Sequence, residues 1–184
     1  MATPEEIQDD IFAPGGKIRP DVLEDSTTKA LREAIKFART TRWESVRSPH
    51  LFMGLLAAPD MGINCWGDRL GADLPRLLEQ FEELFRQEQS EDLPPMSLNR
   101  EFLSDNVISL LRDAHQRASD NRRRITPIDV LISLFTTPNS IVAYCFERIG
   151  VTAAKLTELA VIAEQESAKS DAAKSRNSRP PNLR

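Results

Sequence analysis

One stretch of this chain occurs twice, and the doubling limits what the chain can fold into more than any other feature. Ala34 and Ala38 meet Ala114 and Ala118 at a shift of 80 residues. His50, Leu55, Pro59, Leu70 and Gly71 meet Asp129, Leu134, Pro138, Ile149 and Gly150 at a shift of 79. One residue of slack in the loop between those groups reconciles the two shifts. A period this long, present twice, describes two copies of one supersecondary unit folded against each other. The copies span residues 26–88 and 99–166, joined by a linker at 89–98, within a domain of residues 22–166.

Each copy carries the same punctuation. In the first, Ser26 is placed to cap a helix reaching about Thr41, with Leu31, Ala34, Ile35 and Ala38 on one apolar stripe. Ser48-Pro49 reads as an N-cap followed by proline at the first helical position. The helix it opens is apolar almost all round (Leu51, Phe52, Met53, Leu55, Leu56), so it is expected to be buried, and Pro59 ends it. A short helix over Met61–Leu70 stops at Gly71, and Asp73 caps a fourth carrying Leu74, Leu77, Leu78, Phe81, Leu84 and Phe85. The second copy repeats the order: Leu103–Asp120, the Thr126-Pro127 start, Ile141–Ile149, Gly150, and a last helix capped by Thr152. This punctuation gives an all-α chain. Residues 1–21 hold three prolines and a Gly-Gly pair without periodicity and are expected to be an extended or disordered leader. Residues 167–184 are expected to be a disordered basic tail, because they lack apolar side chains to offset ordering entropy.

Composition excludes several functions. The net charge of −4 argues against a dedicated nucleic-acid binder. There is no apolar run long enough to span a membrane and no apolar core of a signal peptide, and two cysteines are too few for a disulfide framework, so the expected location is cytoplasmic. Gly15-Gly16-Lys17 is no phosphate loop: Ile11 stands where the motif needs a glycine, five residues before Gly16, and Ile18 follows the lysine. Neither His50 nor His115 has a metal-ligand spacing around it. No cofactor, metal or catalytic constellation is expected, and the chain is read as a non-enzyme.

Ser48-Pro49-His50-Leu51-Phe52-Met53-Gly54-Leu55-Leu56 and Thr126-Pro127-Ile128-Asp129-Val130-Leu131, each inside the same helix order, resemble the central signature of the Clp repeat. Two such repeats form the N-terminal domain of Clp/ClpB-type AAA+ unfoldases, and the resemblance covers about Val22 to Glu166. It implies a pseudo-twofold bundle of about eight helices, built from two four-helix repeats. It also implies a docking module that binds protein clients or adaptors, or acts on a Clp-type unfoldase, in protein quality control. No P-loop occurs in the chain, so it looks like such a domain standing alone, without the ATPase. In ClpC-like members an acidic residue precedes the histidine of each repeat and helps bind phosphorylated arginine. Here Pro49 and Ile128 stand there, so that site is not carried over.

The copies differ most in the loop between their first two helices, Trp43-Glu44-Ser45 against Arg122-Arg123-Arg124, and at His50 against Asp129. Trp43, Arg122, Arg123 and Arg124 are therefore the candidate protein-binding residues, beside an apolar groove expected at the repeat–repeat seam. The alternative is a regulatory module that binds an acidic partner or nucleic acid through Arg122–Arg124 and the basic tail. Cys65 and Cys145 lie near matching places on the two short helices and are expected to be buried free thiols.

Overall fold

The computed structural model describes residues 11–88 and 95–177, with side chains through Ser170. Among these residues the chain forms eight α-helices: α1 (Asp25–Thr40), α2 (Ser48–Ala57), α3 (Met61–Leu70), α4 (Leu74–Phe85), α5 (Asp105–Asp120), α6 (Pro127–Thr136), α7 (Ile141–Glu147) and α8 (Ala153–Asn177). Two 3-10 turns, Pro20–Val22 and Arg100–Phe102, lead into α1 and α5 and are themselves mates at a shift of 80. There is no sheet among the described residues, only isolated bridges.

The stops and most caps follow the sequence pattern. Asp60, Asp73, Ser104, Thr126 and Ser140 each accept a first-turn backbone N–H. Gly71 and Gly150 turn the chain at φ 74° and 88°, where a side chain would be strained. Two caps differ from expectation. Helix α1 begins at Asp25 with Glu24 as its N-cap, not Ser26. Helix α2 has Arg47 as its N-cap, not Ser48, which puts Pro49 second in the helix. The true mate of Thr126 is thus Arg47, at the same shift of 79 that relates His50 to Asp129.

The leader is not an unstructured approach over its described part. Residues 11–19 fold back on themselves: Arg19 N–H donates to the Ile11 carbonyl (2.8 Å) and Ala13 N–H to that of Lys17 (2.8 Å). Ile11, Phe12 and Ile18 are buried, which repays the ordering that their prolines and glycines made look unfavourable. The expectation for residues 1–10 lies outside the described residues, as does most of that for the linker, at 89–94. The last helix runs on to Asn177, past the expected end at Glu166. A helix already nucleated by packing propagates cheaply through Ala, Lys and Ser. Residues 178–184 lie outside the description.

The two copies interlock. The lead-in to α1 pairs with the loop of the second copy: Ile125 N–H donates to the Val22 carbonyl (2.8 Å) and Glu24 N–H to that of Ile125 (3.0 Å). The mate contacts complete the exchange, Val46 N–H to Phe102 (2.7 Å) and Ser104 N–H to Val46 (3.0 Å). Ile18 N–H meets the carbonyl of its own mate, Leu98, at 3.0 Å, which marks the pseudo-twofold axis. In the core, α2 and α6 contribute Phe52 and Phe135, and Trp66, Phe81 and Phe146 close an aromatic cluster around them with ring centroids 4.7–6.4 Å apart.

The symmetry breaks at the last helix of each copy. Helix α8 lies along both α3 and α6, whereas its mate α4 lies on α2 and reaches α7 through Phe81 against Phe146 (6.0 Å). Ala160 and Ala163 of α8 are wholly buried; their mates on α4 are Phe81 and Leu84. Small side chains let α8 approach α3 closely. The phenyl ring of Phe81 holds α4 away from α7, and Leu84 is left 63% exposed.

Candidate functional site

Trp43 and Arg123 stand at the same backbone position of the two loops. Each follows a residue held in the left-handed region, Arg42 (φ 66°) and Arg122 (φ 55°). Each donates its N–H to the last alanine of the preceding stripe, Trp43 to Ala38 (2.8 Å) and Arg123 to Ala118 (3.1 Å). The missing residue therefore falls after this position, where Glu44-Ser45 is opposed by Arg124 alone.

In the first copy this corner is aromatic. The Arg47 N–H donates to His50 Nδ1 (2.9 Å), which caps α2 from its third residue. The neutral ring then carries its proton on Nε2 and donates it to Thr41 Oγ1 (3.1 Å), whose own hydroxyl donates to the Phe37 carbonyl. Burial, with Arg47 nearby, pushes the His50 pKa down to about 4, so the ring stays neutral. Trp43 sits edge-on to His50 at 5.6 Å, carries the Arg47 guanidinium over its ring at 5.0 Å, and donates Nε1–H to the Phe85 carbonyl (2.6 Å). That carbonyl is the last of α4, so the indole ends the helix. The chain then turns back with Gln87 N–H on the Thr41 carbonyl (2.9 Å).

In the second copy the corresponding corner is ionic. Asp129, the mate of His50, is wholly buried and accepts the Thr126 N–H (2.9 Å), the same cap made by a carboxylate. It also pairs with Arg117 (2.6 Å) and with Arg123. Both guanidinia reach on to Glu164 of α8: Arg117 grips it with two bonds (2.7 and 3.0 Å), and Arg123 adds one at 3.2 Å. Arg117, Arg123 and Glu164 are the mates of Phe37, Trp43 and Phe85. Burial pushes the Asp129 carboxyl upward, but the bonds from Arg123, Thr126 and Arg117 outweigh it and leave the pKa below its ordinary value. The bond to Glu164, then that to Asp129, raises the Arg117 pKa against burial. Because Glu164 is held by its side chain, its carbonyl stays in the helix and α8 continues.

The four residues singled out from sequence are not one surface. Val46, beside Trp43, pairs with Leu103 ahead of α5, while the arginines follow the far end of α5, 16 residues on, roughly 24 Å along a helix. Trp43 is half-buried. Of the arginine run, Arg123 is committed to Asp129 and Glu164, and Arg124 reaches Glu24 at 3.4 Å. Arg122 is exposed and makes no ion pair among the described residues. Cys65 and Cys145 are both free thiols, half-buried rather than fully so, and burial pushes the Cys145 thiol up against the opposing charge of Arg148.

Sequence reasoning missed the exposed apolar side chains. Ile141 (44%) and Tyr144 (57%) line a cavity of about 560 Å³ with Phe135, Ala143 and Ala153, between α7 and the start of α8. Ile149 is exposed just beyond α7. The cavity belongs to the second copy and not to the expected seam. The spacing of Ile141 and Tyr144, one helical turn apart and off the register of buried Val142 and Phe146, is the signal that could have found it.

The fold is that of the Clp N-terminal domain. The chain is similar to the N-terminal domain of the caseinolytic protease associated chaperone ClpD from Arabidopsis thaliana, with 18% identity and a TM-score of 0.63 over 82% of this chain and 99% of that one. A solved chain from preliminary structural investigations of a malarial protein secretion system matches with 13% identity and a TM-score of 0.61, over 80% and 96%. At these identities the likeness establishes the fold. No family model and no curated protein matches the sequence.

Proposed function

We propose that this fold serves here as a non-catalytic protein-interaction module, which binds protein clients or adaptors, or docks on a Clp-type unfoldase, in cytoplasmic protein quality control. The observation that carries the reading is the exposed pair Ile141 and Tyr144 over the α7 cavity. Large apolar side chains held out from an otherwise well-filled helical scaffold are the ordinary form of a protein-docking patch. No single helix among the described residues is long and apolar enough to cross a membrane.

The test is direct binding of the purified chain to a purified Clp-type unfoldase and to an unfolded client, followed by fluorescence anisotropy. Ile141→Ser with Tyr144→Ala is expected to weaken the contact about tenfold or more with helix content unchanged. Absence of binding to either partner at micromolar concentration would sink the reading. The regulatory alternative rests on Arg122, the one arginine of its run that is both exposed and without an ion pair among the described residues. Under that alternative, Arg122→Ala would abolish a salt-sensitive contact to an acidic partner while Tyr144→Ala left it intact.

A further inference from the structure

The last helices of the two copies are fixed at matching points by different physics. At Phe85 the attachment is an indole N–H on a backbone carbonyl, inside an aromatic corner. At Glu164 it is a carboxylate between two guanidinia, all three groups between a quarter and a third exposed. Ala163 is the last wholly buried residue of α8 among the described side chains. Past it, the described hydrogen bonds and ion pairs to the body are those of Glu164 to Arg117 and Arg123, and of Glu166 to Arg69. Residues 168–170 are exposed, and the helix runs on to Asn177.

We propose that Asp129, Arg117, Arg123 and Glu164 form a releasable ionic clasp, by which the part of α8 beyond Ala163 docks on the body or leaves it while α4 stays fixed. The roles divide by burial. Asp129, wholly buried and capping α6, is the anchor that orients both guanidinia whether or not α8 is in place. Glu164 is the moving half. Its pairs are partly open to water, so ionic strength weakens them, and their replacement by water costs little. Two ion pairs of this kind suit an arm that must come off, whereas the Trp43 corner suits an end that must not. Release leaves the α3–α8 contact through Ala160 and Ala163 in place, because those residues lie on the near side of the clasp. The inference stands apart from the docking patch on α7 and needs no partner.

Amide hydrogen exchange on the full chain tests it. Between about 0.05 and 0.5 M NaCl, the amides of residues 165–170 are expected to lose protection by about fivefold, while those of residues 80–85 in α4 change less than about twofold. Glu164→Gln, a change at a partly exposed position, should lower the protection of residues 165–170 already at low salt and shrink the salt response to what the Glu166–Arg69 pair supplies, which adding Glu166→Gln should remove. Asp129→Asn strips the anchor and should do the same if the chain still folds. Salt-independent protection of the α8 arm in the wild type would overturn the proposal. So would equal salt responses of α8 and α4, or a Glu164→Gln chain whose arm exchanges as in the wild type.

Discussion

His50 and Asp129 do one local job with opposite chemistry, and pH separates them. Each caps its helix by accepting the N–H three residues back. His50 does so as a neutral ring whose pKa is pushed from the ordinary 6.5 down to about 4. The unfolded chain therefore binds this proton more readily, so stability is complete above pH 6.5 and falls as the pH drops towards 4, by about 3 kcal/mol at most. His50→Asn keeps an acceptor for the Arg47 N–H and should flatten this part of the profile, measured by urea unfolding between pH 7 and 4.5. Asp129 has a lowered pKa, so its contribution is present above the ordinary carboxylate value and is lost only below about pH 4. At neutral pH, Asp129→Asn should cost about 3 kcal/mol, because two half-buried guanidinia lose the charge between them. Asp129→His, which would copy the first repeat, should do no better: a neutral ring cannot pair with Arg117 and Arg123.

Between elements, the copies differ in how closely their helices cross. A methyl group added at Gly54 of α2 would lie 2.2 Å from the Ala30 carbonyl oxygen and 2.9 Å from the Ala34 nitrogen, both backbone atoms of α1. Neither can yield without moving a helix. Gly54→Ala is therefore expected to destabilise the chain by about 3 kcal/mol or more. Gly71→Ala meets open space and carries only the strain of its φ of 74°, about 1 kcal/mol. Thermal unfolding of the two variants should rank them in that order; the reverse would mean that α1 and α2 are free to slide apart. The mates of Gly54 and Ala30 are Ser133 and Leu110, so the α5–α6 crossing is built from larger side chains. Trp43→Phe keeps the ring but loses the N–H on the Phe85 carbonyl, and should raise amide exchange at the end of α4 without unfolding the core.

Over the whole molecule, the exchange of lead-ins means that neither copy is complete alone. Val22 and Glu24 bond to Ile125 of the other copy, and Phe102 and Ser104 bond to Val46. The aromatic cluster likewise draws Phe52, Trp66 and Phe81 from one copy and Phe135 and Phe146 from the other. Unfolding should be a single cooperative transition, and a chain starting at residue 95 should show no cooperative melt by circular dichroism. Deleting residues 1–19 removes the buried side chains of Ile11, Phe12 and Ile18 and should lower stability by about 3 kcal/mol or more.

The sequence by itself determined the helical class, the doubling, the stops at Pro59, Gly71 and Gly150, and the fold that two Clp-like repeats imply. Each depends on a local conformational preference or on a spacing that survives without neighbours. It also marked the two loops and the His50–Asp129 pair as the asymmetric places. Only the tertiary structure decided what that asymmetry is. Phe85 lies 35 residues beyond His50, as Glu164 does beyond Asp129, and no short-range pattern links a charge at 123 to one at 164. The arginine run looked like a basic surface because sequence shows charges without their partners; folding sets Asp129, Glu164 and Glu24 against it. The leader looked unstructured for the same reason, since burial of Ile11 and Phe12 depends on the rest of the folded chain. The exposure of Ile141 and Tyr144 was likewise set by which partner helices left them uncovered. Propensity and periodicity are properties of neighbours in sequence. Charge pairing, burial and exposure depend on neighbours in space, and the fold alone supplies those.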